Sequence, residues 1–174
     1  MNRSLTIFLA ALLLPLMADA KGPNTRIEVK LDGAPLATIT DRNILDKLTF
    51  WSGPGTWVRA GEDAPPTMST SSADIADWLA GEVPPPKESR AFDVSFFFST
   101  PRNPSNPPRR NYTVRYAPSA DGGGFIQIPG KDSPYYLGNT SLISRGVEGN
   151  WYRASERWET LIRPVIERAL VAAR

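Results

Sequence analysis

The carboxylates of this chain are the side chains best suited to catalysis, and Glu148 has the most interesting surroundings among them. Glu148 lies in a glycine-flanked segment beside aromatic residues. Two carboxyl groups can hydrolyse a glycosidic bond without His or Cys, and the pairs Asp74 with Asp77 and Glu156 with Glu159 have the spacing of one helix face. Helix capping and pairing with arginine are the alternative roles, since solvated carboxylates far outnumber catalytic ones. We therefore expect no catalytic residue, and Glu148 is the one to test.

The absence of both His and Cys from the 174 residues closes most hydrolytic mechanisms. Without an imidazole or a thiol, neither a Ser-His-Asp nor a Cys-His nucleophile can be built. Zinc sites of the common kind need the same residues, and no Asp-rich loop has the spacing of a calcium site. No serine lies three residues before a lysine, as a Ser-x-x-Lys dyad requires. We expect neither a metal nor another cofactor, and the composition favours a non-enzymatic role.

Aromatic residues in predicted loops and at the ends of predicted elements form a candidate binding patch. Trp and Tyr rings stack on sugar rings and anchor partner proteins. The patch consists of Trp51, Trp57, Tyr136, Arg145, Glu148 and Trp151. The alternative role of its aromatic members is to close the ends of a small core beneath long loops, because Trp and Tyr are commonly mostly buried.

Basic residues are concentrated in the second half of the chain, although the formal net charge is only +2. Arg102, Arg109 and Arg110 lie in a proline-rich connection between two predicted strands, where they offer a contact point for an acidic partner. For the basic half as a whole the alternative is a solvated helix face, because several of its arginines are interleaved with glutamates near the C-terminus. For the proline-rich connection the alternative is an extended, basic hairpin tip. Nucleic acid is not expected as a partner, since the charge imbalance is modest and the protein is predicted to be exported.

Residues 1–20 have the pattern of a secretory signal peptide. Arg3 supplies a positive charge, a predominantly apolar run extends from Leu5 to Met17, and small residues follow up to Ala20. The run is too short to span a membrane, and no later segment reaches the roughly 20 apolar residues that a span needs. We predict cleavage near Ala20, a periplasmic or secreted location, and no transmembrane segment.

Short strands connected by turns are the main structural signal of the mature chain. Apolar and polar residues alternate over residues 27–31, and Asp32-Gly33 then supplies a tight hairpin turn. A two-residue turn places Leu36 opposite Val29. Three further strands follow without intervening helices, which favours an antiparallel meander. Their apolar faces are formed by Phe92, Val94, Phe96 and Phe98, then by Tyr112, Val114 and Tyr116, then by residues 125–128.

Helical spacing predicts two short helices and a longer one at the C-terminus. One short helix begins after Asp41, and another, around Trp78, ends at Gly81. The C-terminal helix has an apolar stripe that begins at Trp158 and a break at Pro164, which removes a backbone donor.

These elements predict one α+β domain over residues 21–174. Its antiparallel sheet combines the N-terminal hairpin with the three-strand meander, and it packs against the C-terminal amphipathic helix. The apolar content of the chain, 41%, is that of a globular protein with a real core.

Several short stretches, spread over most of the mature chain, form a recognisable pattern. They are residues 39–41 and 51–55, residues 128–130 with Asp132, Tyr136 and Asn139, and Ile143, residues 145–149, Trp151, Ala154 and Trp158. With these stretches the chain resembles an uncharacterised family of small exported bacterial proteins. The family has no known activity, so the resemblance implies no catalytic residue. It implies that the segment around Glu148 and the loop of Trp51 meet in space.

Three functions follow as hypotheses from these patterns. The first is a non-enzymatic binding or accessory module of the cell envelope, whose partner is an envelope protein or a glycan and which uses the aromatic patch. The second is a carboxylate-dependent glycan hydrolase, which needs two carboxyl groups roughly 5 to 10 Å apart in a cleft. The third is a protein that binds anionic surfaces through Arg102, Arg109 and Arg110, with an affinity that falls steeply with salt.

Overall fold

A seven-stranded antiparallel sheet forms the centre of the computed structural model, which describes residues 23–48, 74–87, 90–99, 106–120, 122–140 and 147–174. The predicted α+β class, with an antiparallel sheet and a C-terminal helix, is confirmed. The strand order across the sheet is β2-β1-β4-β5-β6-β7-β3. The strands are β1 (Asn24–Leu31), β2 (Ala34–Ile39), β3 (Glu82–Val83), β4 (Phe92–Phe98), β5 (Arg109–Pro118), β6 (Gly124–Gln127) and β7 (Trp151–Arg153). The helices are α1 (Arg42–Leu45), α2 (Tyr136–Thr140), α3 (Glu156–Leu161) and α4 (Arg163–Ala172).

The hairpin of β1 and β2 turns at Asp32 and Gly33, whose φ angles are 50° and 80°. Two positive φ angles are what a type I′ hairpin turn requires, and Asp-Gly is among the sequences that supply them. The predicted pairing of Leu36 with Val29 is wrong, because the ladder shifts by one residue after Val29. The extra residue is Leu36, and the adjacent Pro35 has no N–H group to donate to the ladder.

The inner face of the sheet carries the core. Apolar and aromatic side chains alternate along β4 and β5, and the alternate positions on one face are almost completely buried. The members of this face that are at most 1% exposed are Phe92, Val94, Phe96, Tyr112, Val114 and Tyr116. Because successive side chains of a strand point to opposite sides, the residues between them lie on the outer face.

The C-terminal helices α3 and α4 pack on the inner face through Trp158 and Ile166, which are both buried. The Trp158 ring lies 5.7 Å from the ring of Tyr116 and 6.4 Å from that of Phe96, measured between centroids. The predicted break is found at Pro164, which lies in the first turn of α4. A missing N–H group costs little there, because the first N–H groups of a helix have no partner within it.

The sequence patterns missed two strands and overestimated one helix. β3 and β7 have two and three residues, which is too short for an alternating pattern to be visible. The predicted second helix is a single 3₁₀ turn, Trp78–Ala80, and the Asp77 carboxylate accepts from the Ala80 N–H at 3.2 Å. Before this turn the chain is extended, because the backbone of Ala76 forms a bridge with Ala154.

Candidate functional site

A row of mostly polar side chains crosses the outer face of the sheet. The register places Lys30 of β1, Asp93 of β4, Arg115 of β5, Gln127 of β6 and Trp151 of β7 side by side on neighbouring strands. Residues paired in this way share one face of the sheet, with side chains close enough to interact. Five strands that are separate in the sequence therefore bring two cations, a carboxylate, an amide and an indole together.

A cavity of about 530 Å³ lies over the middle of this row. Its walls are the sheet and the segment that follows β6, which passes over the outer face. Gly149 also lines it and lies next to Gly130: a Cβ atom on Gly130 would lie 3.0 Å from the Cα atom of Gly149. The polar lining groups belong to Asp93, Arg115 and Gln127 on the sheet and to Asp132, Ser133 and Tyr135 on the segment.

Asn139 fastens this segment to the sheet. Its side-chain oxygen accepts from the Thr113 N–H at 2.9 Å, and its side-chain nitrogen donates to the Thr113 carbonyl oxygen at 2.5 Å. β6 pairs with β5 only from Arg115 onwards, so none of the described strands lies beside Thr113 on that side. The buried amide of Asn139 therefore supplies the donor and the acceptor that a further strand residue would supply.

Asp93 is the centre of the hydrogen bonding in the cavity. The Tyr135 hydroxyl donates to Asp93 Oδ2 at 3.2 Å, and Arg115 Nε lies 3.6 Å from Asp93 Oδ1. Burial raises the pKa of Tyr135 above its ordinary value, and the charge of Asp93 and the hydrogen bond to it raise it further. Tyr135 thus keeps its proton at neutral pH and remains a donor, which holds the Asp93 carboxylate in a fixed position.

Arg110 lies on the other side of the Tyr135 ring. Its guanidinium carbon is 4.8 Å from the ring centroid, which is the geometry of a cation–π contact. A second, smaller cavity of about 80 Å³ is lined by Arg110, Thr113, Tyr135 and Asn139, among others. Tyr135 therefore lines both cavities, and Arg115 belongs to the lining of the larger one and Arg110 to that of the smaller one.

The structure describes three members of the predicted aromatic patch. Tyr136 is half-buried at the start of α2, Glu148 is half-buried in the turn before β7, and Trp151 is half-buried on the outer face next to Gln127. Trp51, Trp57 and Arg145 lie outside the described residues, as do residues 1–20 with the predicted signal peptide. The predicted meeting of the Trp51 loop with the Glu148 segment also falls outside them.

Glu148 does not line the cavity, although the next residue, Gly149, does. Its charge acts on Tyr152, whose pKa is raised by burial first and then by the carboxylates of Glu82 and Glu148. Asn150 donates to Glu82 Oε1 at 2.7 Å in the same region. Glu148 thus belongs to the polar surroundings of β3 and β7, beside the cavity rather than in it.

The carboxylates singled out by their spacing have structural partners. Asp74 is buried and paired with Arg157, and Asp77 caps the 3₁₀ turn. Glu159 accepts from the hydroxyl of Tyr116 and pairs with an arginine of α4. Glu156 is exposed at the start of α3, where a negative charge is favourable. None of these carboxylates lines the larger cavity.

Of the predicted contact point for an acidic partner, Arg109 and Arg110 are described and Arg102 is not. Both are exposed at the start of β5, and Arg110 is the one that reaches the cavity region through Tyr135. The predicted site residues did not include Asp93, Arg115, Gln127 and Tyr135. The strand residues of this set occupy outward-facing positions that look like any other in the sequence. Only the pairing of the strands shows that these residues lie side by side.

The described part of the chain contains no group of three or more Asp, Glu, His or Cys residues that could hold a metal ion. Within the same ranges, no helix is both long and apolar enough to cross a membrane. No known protein family, curated protein or solved structure matches this chain. The cavity and its lining groups are therefore the basis on which a function can be assigned.

Proposed function

We propose that this chain is an exported, non-enzymatic binding module of the cell envelope, and that it binds a glycan in the outer-face cavity. The observation that carries the proposal is the cavity of about 530 Å³, whose lining presents fixed hydrogen-bonding groups. Export rests on the signal-peptide pattern of residues 1–20. The binding surface is held by the hairpin and meander strands, which leave one face of the sheet free of the core.

The chemistry of the lining suits a ligand that is rich in hydroxyl groups. Asp93 and Asp132 accept hydrogen bonds, Arg115 donates them, and the Gln127 amide does both. Trp151 is the neighbour of Gln127 in the row and is only half-buried, so its ring offers a stacking surface beside the cavity. A sugar ring presents hydroxyl groups around its edge and an apolar face. The polar lining groups match the hydroxyl groups, and the Trp151 ring matches the apolar face.

Binding without turnover is favoured by the surroundings of Asp93. Its neighbours are a guanidinium group and a hydroxyl donor, an arrangement in which its oxygens act as hydrogen-bond acceptors. The hydrolase remains the second candidate, because Asp93 and Asp132 both line the cavity and a glycosidase needs two carboxyl groups. Asp93 and Asp132, not Glu148, are the residues that this second function would use.

The test measures binding and turnover of the same oligosaccharides. Soluble fragments of envelope glycans are titrated into the purified protein by calorimetry, and new reducing ends are counted after long incubation. We expect binding without new reducing ends. Gln127→Leu removes the amide from the cavity and should weaken binding about two- to tenfold. Asn43→Ala, which changes an exposed amide on α1, should leave the affinity unchanged.

Two outcomes contradict the proposal. If no glycan binds at the concentrations tested, the assignment of the cavity to glycans is wrong. If reducing ends accumulate, and both Asp93→Asn and Asp132→Asn stop their release while binding persists, the protein is a hydrolase.

A further inference from the structure

We infer that the ligand of the cavity is an acidic saccharide whose carboxylate group binds to Arg115. This inference rests on the proposed function and deepens it, because it names the chemical class of the glycan. It is carried by the free donors of Arg115, by the cations around the cavity, and by the acceptor that Asp132 adds.

Arg115 is held in place, but its guanidinium group has hydrogen-bond donors that the described part of the chain does not use. Its Nε atom faces Asp93 at 3.6 Å, which is an ion pair rather than a close hydrogen bond. In the ranges that the structure describes, no other residue accepts a hydrogen bond from its guanidinium group, and the side chain is 53% exposed. The terminal nitrogens of an arginine form a planar fork that fits a carboxylate with two parallel hydrogen bonds. Arg115 therefore offers the cavity an oriented site for an anion.

The charges near Arg115 also favour an anion. Lys30 lies opposite Asp93 on the adjacent strand, and Arg110 lies over the Tyr135 ring. Arg115 and Arg110 both act electrostatically on the Tyr135 hydroxyl, where each lowers its pKa against the larger opposing effects. Arg115 is the cation of the lining itself, which also carries Asp93 and Asp132, and Lys30 and Arg110 add a longer-range attraction for an anion from just outside it.

Asp132 decides between a sugar acid and a simple oxyanion. It is exposed and lines the same cavity, where its carboxylate accepts hydrogen bonds and repels a bare anion. A sugar acid presents its carboxylate to Arg115 and its hydroxyl groups to Asp132, whereas inorganic phosphate lacks a ring of hydroxyl groups. The side-chain amide of Gln127, beside Arg115 in the row, can form hydrogen bonds with carboxylate oxygens and with hydroxyl groups. The arrangement thus fits a carboxylated saccharide best.

The experiment compares acidic saccharides with their neutral methyl esters. A galacturonate trimer, a guluronate trimer and sialyllactose are titrated by calorimetry, each beside its ester. At least one acid should bind about tenfold more tightly than its ester, since a hydrogen bond to a charged group is worth that ratio or more. Raising the salt from about 50 to about 200 mM should reduce this preference, because exposed charges are screened.

Variants of Arg115 link the preference to the proposed contact. Arg115→Ala should weaken binding of the acid about tenfold or more and that of the ester much less, because the ester loses only neutral hydrogen bonds. Arg115→Lys should give an intermediate affinity, because it keeps the charge and loses the fork. Arg168→Ala is the matched control, since Arg168 is an exposed arginine on α4, away from the cavity. The unfolding midpoint of each variant without ligand shows whether its fold is intact.

The possible failures separate the two proposals. If acids and esters bind equally and Arg115→Ala changes neither, the acidic class is wrong and a neutral glycan function stands. If inorganic phosphate displaces the acid as effectively as a second acidic saccharide does, the site recognises oxyanions in general and the sugar acid is overturned. If none of the saccharides binds, both the inference and the glycan function are overturned.

Discussion

Gly124 lies where the structure has no room for a side chain. A Cβ atom at this position would lie 2.5 Å from Tyr116 Cε2 and 2.5 Å from Glu159 Oε1. The Tyr116 ring cannot retreat, because it is completely buried beside Trp158. Glu159 is itself held by the Tyr116 hydroxyl, so any shift would break hydrogen bonds as well as packing.

We predict that Gly124→Ala lowers the free energy of unfolding by about 1–3 kcal/mol, the usual cost of adding a methyl group to a filled site. Gly123→Ala is the control, because the nearest atom to its new Cβ would be Arg153 Nη1 at 3.9 Å. Urea unfolding of both variants measures the difference. Equal stability of the two variants would show that the contact around Gly124 relaxes without cost.

The three successive glycines at positions 122–124 have three different roles, which the sequence alone does not distinguish. Three successive glycines predict a turn between two strands and do not distinguish one glycine from another. Gly122 has a φ of 98°, which side chains disfavour, and Gly123 has room for a methyl group. Gly124 alone is enclosed by other side chains. Local composition predicts the turn, but the enclosure depends on β5 and α3, which are distant in sequence.

At the scale of elements, Asn139 compensates for the shortness of β6. β6 has four residues, and in the part of the chain that the structure describes no other strand pairs with the Thr113 end of β5 on that side. The amide of Asn139 replaces that partner with one accepted and one donated hydrogen bond. The same contact holds the segment from Gly130 to Asn139 over the outer face, and this segment is one wall of the cavity.

We predict that Asn139→Leu lowers the free energy of unfolding by at least about 2 kcal/mol, because a buried N–H and a buried carbonyl oxygen lose their partners together. Asn43→Leu, on the exposed side of α1, should change it by less than about 0.5 kcal/mol. Chemical denaturation gives both values. Saccharide affinity should also fall in Asn139→Leu, measured well below its unfolding midpoint. A variant as stable as Asn43→Leu would show that the segment is held by other contacts.

The elements themselves were predictable where a pattern was long enough. β4, β5 and the C-terminal helices have periodic apolar residues over several turns or pleats, and the structure has them where the sequence places them. β3 and β7 are too short for any period. The bulge beside Pro35 was missed because the sequence analysis set the register from the turn alone. Short strands form because neighbouring strands are already present to pair with them. The residues of a short strand therefore contain little of the information that specifies it.

At the scale of the whole molecule, the sheet separates an inner face that carries the core from an outer face that carries the larger cavity. The inner face is filled by aromatic and aliphatic residues and covered by α3 and α4. The outer face carries the row from Lys30 to Trp151. The site was not predictable residue by residue, because Asp93, Arg115 and Gln127 become neighbours only through the register of three strands. Arg110 was predicted as an anion contact, and the structure places it beside Tyr135.

Tyr116 connects β5 to α3 through its hydroxyl group. Its hydroxyl donates to both oxygens of Glu159, at 3.0 and 3.1 Å, and Glu159 pairs with Arg163 at 3.2 Å. Burial raises the pKa of Tyr116 strongly, and the negative charge of Glu159 raises it further. A tyrosine whose pKa is raised on folding stabilises the fold fully below its unfolded pKa of about 10, and that contribution is lost as the pH rises above it.

We predict that the free energy of unfolding of the wild-type protein falls above about pH 10, and that Tyr116→Phe removes about 1.4 kcal/mol per pH unit from that slope. Tyr135 and Tyr152 also have raised pKa values, so a smaller slope should remain in the variant. Urea unfolding at intervals between about pH 8 and pH 11 measures both slopes. Asn43→Ala, which removes no titratable group, should keep the wild-type slope. Identical slopes for wild type and Tyr116→Phe would mean that Tyr116 loses its proton in the folded protein as readily as in the unfolded chain.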